Sequence, residues 1–279
     1  MATPPTNVGG TRAMKIRTPG FVFSAMAFAY AFLYLPILAV VVYSFNESKL
    51  VTVWGGFSTK WYGELFRNEQ LLGAAYQSLK VAAISATCAV ILGTLASIAI
   101  VRFGRFRGKS MLQGVLAAPL VMPEVLLGLT MLMLFVAMEQ LIGWPEKRDL
   151  TTISIAHITF SVAYVVVVIQ SRLKTIDRSL EEAALDLGAR PLKVFMLVTL
   201  PLMFPALLSS WLLAFTLSMD DLVIASFTSG PGSTTLPMVV FSSVRLGVNP
   251  QINALATILL LLVIICVFVV SRLIRQEKR

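Results

Sequence analysis

The chain has 279 residues, 57% of them hydrophobic and only 13% charged, with a formal net charge of +9 and a mean hydropathy of +0.83. Soluble domains carry about 25% charged residues, so this composition excludes a soluble monomer, and its apolar content excludes a disordered polymer. One His and two Cys point to no metal site and no disulfide framework; Cys88 and Cys266 lie in apolar runs, where a cysteine serves as a small apolar residue.

Six apolar runs are candidates to cross a hydrocarbon core of about 30 Å, which takes about 20 helical residues. Residues 21–43 are uncharged and contain Pro36. Their apolar core exceeds the about 7–15 residues of a secretory signal, and no A-x-A-like site follows, so this run is expected to stay as an anchor. Residues 81–101 are uncharged and contain Gly93. Residues 111–138 hold Pro119, Pro123, Glu124 and Gly128. Residues 151–170 have His157 as their one ionisable group. Residues 200–227 hold Pro201, Pro205, Asp220 and Asp221. Residues 251–270 are uncharged. The third and fifth runs are longer than a straight span needs, and their prolines predict kinks or breaks. The expected architecture is all-α and polytopic. A transmembrane domain of six helices, residues 21–273, lies between tails 1–20 and 274–279.

Lys and Arg set the orientation. With the N-terminus inside, sixteen fall on the cytoplasmic side and seven outside, which predicts cytoplasmic termini. The high net charge is then a topology signal rather than a nucleic-acid footprint. Three connections stand out. The outer loop 46–80 carries Trp54, Trp61 and Tyr62, residue types that favour the membrane interface. The outer segment 230–250 contains a short helical stretch, 236–246. The inner loop 171–199 is patterned, and a structured cytoplasmic loop is where a membrane protein meets a soluble partner.

Within that inner loop, Ser179-Leu-Glu-Glu-Ala-Ala-Leu-Asp-Leu-Gly188-Ala-Arg-Pro191 reads as one short helix. Ser179 is the predicted N-cap, with Glu182 completing a capping box. Leu180, Ala183, Ala184 and Leu187 share a face. Gly188 suits a left-handed C′ position, and Pro191 suits the first turn of a following helix. Such a helix is an ordinary capped surface element or a peg for a groove on a partner.

Glu182-Ala183-Ala184-x-x-x-Gly188, with Leu200-Pro201 twelve residues on, resembles the EAA loop of permeases of ABC importers. Val198 stands where the family pattern has Ile, a conservative departure. The resemblance extends along the chain through Tyr34-Leu35-Pro36-Ile37, Tyr43-Ser44-Phe45-Asn46, Gly56-Phe57-Ser58-x-x-Trp61-Tyr62, Pro123-Glu124, Ser218-Met219-Asp220-Asp221 and Gly230-Pro231-x-x-x-x-Leu236-Pro237. These segments are similar to the spermidine/putrescine branch of that family. The resemblance implies a type I importer permease fold in the bacterial inner membrane. It implies that Glu182, Ala183, Ala184, Gly188, Leu200 and Pro201 couple the chain to an ATPase. The implied partners are a homologous permease, a dimer of ATP-binding subunits and a periplasmic polyamine-binding protein. ATP and magnesium would bind on the partner ATPase, with no cofactor on this chain.

Other features are set aside. Gly104-Arg-Phe-Arg-Gly108-Lys109-Ser110 is one residue short of a phosphate-binding loop, and no strand precedes it. His157 has no second ligand nearby and is expected to be a packed or interfacial histidine. No nucleophile–base pair is legible, so an enzyme is not expected. The acidic residues Glu124, Asp220 and Asp221 remain. A carboxylate at the bilayer centre costs about 2.5–3.5 kcal/mol even on the mildest scale, which makes it a functional candidate. A path for organic cations needs carboxylates to replace hydration. The alternative is that either Asp caps a helix or pairs with Arg245. Rival readings are an importer of another solute, such as an anion or organic phosphonate, a channel or secondary transporter that needs no ATPase, and a purely structural subunit.

Overall fold

The computed structural model describes residues 20–50, 53–246 and 250–277. The basic N-terminal residues Arg12, Lys15 and Arg17 of the expected cytoplasmic tail, and Lys278 and Arg279 at the other end, lie outside them. The described residues form helices in chain order: α1 Gly20–Tyr43, α2 Lys60–Leu65, α3 Glu69–Arg102, α4 Lys109–Val121, α5 Glu124–Ile142, α6 Leu150–Thr175, α7 Arg178–Asp186, α8 Pro191–Val194, α9 Leu200–Asp220, α10 Val223–Thr228, α11 Leu236–Leu246 and α12 Pro250–Glu277. A π-helical turn, Phe195–Thr199, joins α8 to α9. The chain divides into two units, one built from the residues up to Tyr62 and from Pro250 on, the other from Gly63–Asn249.

In the first unit α1 packs against α12. The loop after α1 closes on Asn46, which is only 1% exposed. Its Oδ1 accepts from the N–H groups of Ser48 (3.2 Å) and Gly55 (2.8 Å). Its Nδ2 donates to Val53 O (2.7 Å), and its own carbonyl accepts from Trp61 Nε1 (2.6 Å). The aromatic residues of this loop therefore part company. Trp54 is half exposed, as an interfacial residue should be, but Trp61 is buried at 2%. Its indole N–H satisfies a buried carbonyl that would otherwise be orphaned, which corrects the interfacial reading for that residue.

The second unit is organised around α3, α6 and α9, which all pack on one another. The reason lies in α3, whose inward face carries Ser78, Ala82, Ser85, Ala86, Ala89, Gly93 and Ser97. Small residues let membrane helices approach closely, and serines bond across the gap. Ser85 Oγ donates to Ser154 O on α6 (3.2 Å) and Ser97 Oγ to Val166 O (3.4 Å). Gly93 has no room for a side chain, since a Cβ there would lie 2.5 Å from Val165 Cγ1. Val165, Ile169, Leu173, Met203 and Ala214 fill the centre.

Span boundaries differ from expectation in five places, one of them the sixth span, which runs on through the expected tail to Glu277. The second span begins at Glu69, capped by Asn68 Oδ1 on Leu71 N–H (3.1 Å), and runs 34 residues. The fourth extends to Thr175. The third is two helices, α4 and α5, interrupted at Met122 and Pro123. Pro123 lacks the N–H that would continue α4, and it forces the residue before it into extended backbone. The 13 residues of α4 cover about 20 Å, too little to cross the bilayer alone. The fifth begins upstream, because α8, the π turn and α9 follow without a break from Pro191 to Asp220. Pro201 cannot donate to the Leu197 carbonyl, and the helix answers with a π turn over that stretch instead of ending. It then stops at Asp221 and Leu222, before α10.

Candidate functional site

In the loop between the fourth and fifth spans, α7 forms as anticipated but with a different cap. Asp177, not Ser179, is the N-cap, and its side chain accepts from Ser179 N–H (3.0 Å). Those hydrogen bonds, from the Ser179 backbone first and its side chain second, hold the Asp177 carboxyl below its ordinary range. The helix ends as expected. Gly188 has φ +82°, its N–H bonds Leu185 O (2.8 Å), and Ala189 N–H bonds Ala184 O (3.1 Å), a Schellman ending that needs glycine. Pro191 opens α8 at its first position. Leu187 is 90% exposed and Leu180 49%, and Glu182, Ala183 and Ala184 stand on this short projecting helix. Leu200 and Pro201 open α9 directly after the π turn.

The three acidic candidates fall at helix breaks. Glu124 is in the first turn of α5, directly after the Pro123 break, and is exposed. Asp220 is the last residue of α9 and is also exposed. Asp221 turns inward and is only 8% exposed. Its Oδ1 accepts from Ile224 N–H (3.2 Å) and its Oδ2 from Ala225 N–H (2.7 Å), which caps α10. The same Oδ2 meets His157 Nε2 at 3.0 Å, while His157 Nδ1 meets Ser218 Oγ at 2.7 Å. A carboxylate only accepts, so Nε2 donates to Asp221. Asp221 thus takes the capping alternative. Arg245 stacks over the Phe241 ring instead, 4.6 Å from its centroid.

Ser218, His157 and Asp221 have the residue types of a hydrolytic triad. All three are buried, His157 to 1% and Ser218 to 5% exposure, so no substrate reaches the hydroxyl. The arrangement is a polar clamp between α6 and the α9–α10 corner. His157 is the packed histidine anticipated, but its partners lie 61 and 64 residues away and carry no local signal. Thr152 adds a second tie, donating from Oγ1 to Thr228 O at 2.7 Å.

Packing brings the two breaks together. Leu127 of α5, Ala156 and Phe160 of α6, and Ile224 of α10 form one buried cluster. Leu127 is three residues past Glu124 and Ile224 three past Asp221, so each break lies within a turn of that cluster. Broken helices at membrane depth are tolerated only where they are buried in protein or line a water-filled cavity. Of the three carboxylates at these breaks, Asp221 is buried and Glu124 and Asp220 are exposed.

Among solved structures, the fold is similar to a bacterial ABC transporter involved in the import of the acidic polysaccharide alginate. That likeness has a TM-score of 0.69 at 17% identity and covers 96% of this chain and 99% of that one. It is also similar to the MetNI methionine ABC transporter in inward-facing conformations, with a TM-score of 0.56 at 18% identity over 75% of this chain and 96% of that one. In sequence it is 61% identical over 251 residues to the putrescine transport system permease protein PotI of Escherichia coli (strain K12), covering 90% of this chain and 89% of that protein. It is 42% identical over 253 residues to the spermidine/putrescine transport system permease protein PotC of the same strain, covering 91% and 93%. Residues 89–279 match the binding-protein-dependent transport system inner membrane component family. With a 61% identical permease relative over nine-tenths of its length and a family match over residues 89–279, the chain belongs to that family, and it is a membrane-spanning permease component rather than an enzyme.

Proposed function

We propose that this permease carries putrescine or spermidine inward, as half of an ATP-driven translocation pathway. The observation that supports the substrate class best is the 61% identity to a putrescine permease over nine-tenths of the chain. The chemistry agrees. Protonated amines shed water only where carboxylates or aromatic faces replace it, and Glu124 and Asp220 are exposed carboxylates at the two helix breaks. Asp221 serves the same site from behind, by holding the corner that presents Asp220. Few carboxylates suit a conduit, which must release what it admits.

In this reading both termini are cytoplasmic and α7 docks on an ATP-binding subunit. Glu182, Ala183, Ala184 and Gly188 form its contact surface, and Leu200 and Pro201 pass its movement into α9. A second, homologous permease completes the pathway, a periplasmic polyamine-binding protein delivers substrate, and ATP with magnesium binds on the ATPase. Movement of α7 would switch the helices between inward- and outward-facing arrangements as rigid bodies. The test is reconstitution of the full complex in proteoliposomes. ATP-dependent accumulation of labelled putrescine or spermidine that requires the binding protein is the expected result. Uptake without ATP, or uptake of neither amine, overturns the assignment.

A further inference from the structure

We propose that Arg102 and Glu181 are positioning residues for transport: one carboxylate oxygen ties the coupling helix to the end of α3 and to the entry of the fifth span. The proposal rests on the coupling reading of α7 given above. Glu181 Oε1 accepts from Arg102 Nη2 at 3.0 Å and from Thr199 Oγ1 at 3.0 Å. Glu181 lies in the first turn of α7, Arg102 is the last residue of α3, and Thr199 closes the π turn. A second residue of α7 reinforces the link, since Arg178 Nη2 donates to the Arg102 carbonyl at 2.9 Å.

The tie is polar because apolar packing does not replace it. Leu180, Leu185 and Leu187 of this segment are 49%, 42% and 90% exposed. Between α3, α7 and the π turn lies a cavity of about 180 Å³, lined by Ile98, Leu185, Pro191, Val194 and Phe195 beside the pair. Apolar groups that line an open pocket pack on one side only and fix no distance across it, whereas a hydrogen-bonded ion pair does. The pair's side chains are 13% and 19% exposed, so water screens them far less than a surface pair.

Two further observations bear on transmission. Among the described residues Arg102 Nε is buried without a partner, so Nη2 alone fixes the guanidinium against Glu181. Thr199 also leads without interruption into α9. Displacement of Glu181 therefore reaches a rod whose far end is Asp220, next to the Asp221 clamp.

The experiment uses the full complex in proteoliposomes and reads three quantities: retention of the ATP-binding subunit, transport rate, and ATP hydrolysed per amine imported. Glu181→Gln, Arg102→Glu, Glu181→Arg and the swapped double variant are compared with Gly188→Val. Arg102 contributes to the positive-inside balance, so Glu181→Gln, which leaves that balance intact, is the decisive single change. The expected result is that Glu181→Gln keeps the ATP-binding subunit but raises ATP per amine at least fivefold, and that the swap returns to within twofold of the parent. A normal ATP-to-amine ratio in Glu181→Gln while Gly188→Val is uncoupled overturns the tie and leaves the coupling reading standing. A normal ratio in both overturns the coupling reading and the tie with it. A swap no better than the worse single variant overturns the tie as well.

Discussion

Asp220 is the last residue of α9 and stays exposed, whereas Asp221 lies just past the helix end in extended backbone and turns inward to His157 and two backbone N–H groups. Their substitutions should separate accordingly. Asp221→Asn keeps the shape but turns one acceptor into a donor facing His157 or the α10 backbone. A buried polar group left unmatched costs about 1–3 kcal/mol, so the purified complex should melt at a lower temperature. Asp220→Asn should leave melting unchanged and reduce amine transport, because loss of a carboxylate–ammonium contact of about 1–3 kcal/mol slows a step about five- to hundredfold. Thermal melts beside uptake rates check both. Equal melting losses in the two variants would remove Asp220 from the proposed path.

At the scale of the element, α7 is short and depends on its ends. Gly188 sits at φ +82° with open space around it, so a valine there meets backbone strain and no clash. Left-handed backbone costs an L-residue about 1–2 kcal/mol, and β-branching adds to it. Gly188→Val should unravel the last turn and raise ATP consumed per amine, with membrane insertion intact, as protease mapping and turnover assays would record. The N-terminal end has a pH signature. The Asp177 carboxyl is held below its ordinary 3.8 by the Ser179 hydrogen bonds. A depressed folded value means that its stabilisation is complete above the unfolded value and is lost as pH falls through the folded one. Hydrogen exchange should therefore show α7 amides losing protection only below the ordinary carboxylate range. Asp177→Ala should weaken protection at neutral pH more than Ser179→Ala, since the latter keeps the Ser179 N–H.

At the scale of the molecule, α3 fixes which loops share a face. Its 34 residues span about 50 Å. Near its start Gln77 Nε2 donates to Gly232 O at 3.1 Å, and its last residue, Arg102, meets Glu181. The loop around Gly232 and α7 therefore lie at opposite ends of one long helix. With Cys88 and Cys266 replaced, cysteines at positions 68 and 232 should react with an impermeant reagent added outside sealed cells, and one at 275 should not. Reaction at 275 with protection at 68 would reverse the proposed orientation.

The amino-acid sequence by itself determined that the chain crosses a membrane as helices, because a run of about 20 uncharged residues has no other way to satisfy its backbone in lipid. It also determined the ending of α7 at Gly188 and the bounds of α11, where glycine and periodicity act locally. The caps were only partly legible, as Asp177 and Ser179 are both good caps two residues apart. Only the tertiary structure decided what each proline does. Pro123 ends a helix, whereas Pro201 opens α9 directly after a π turn and Pro205 lies inside it without breaking it. It also decided that His157 clamps Asp221 and that Arg102 meets Glu181 across 79 residues. Such bonds depend on which helix faces meet, and no spacing along the chain encodes that.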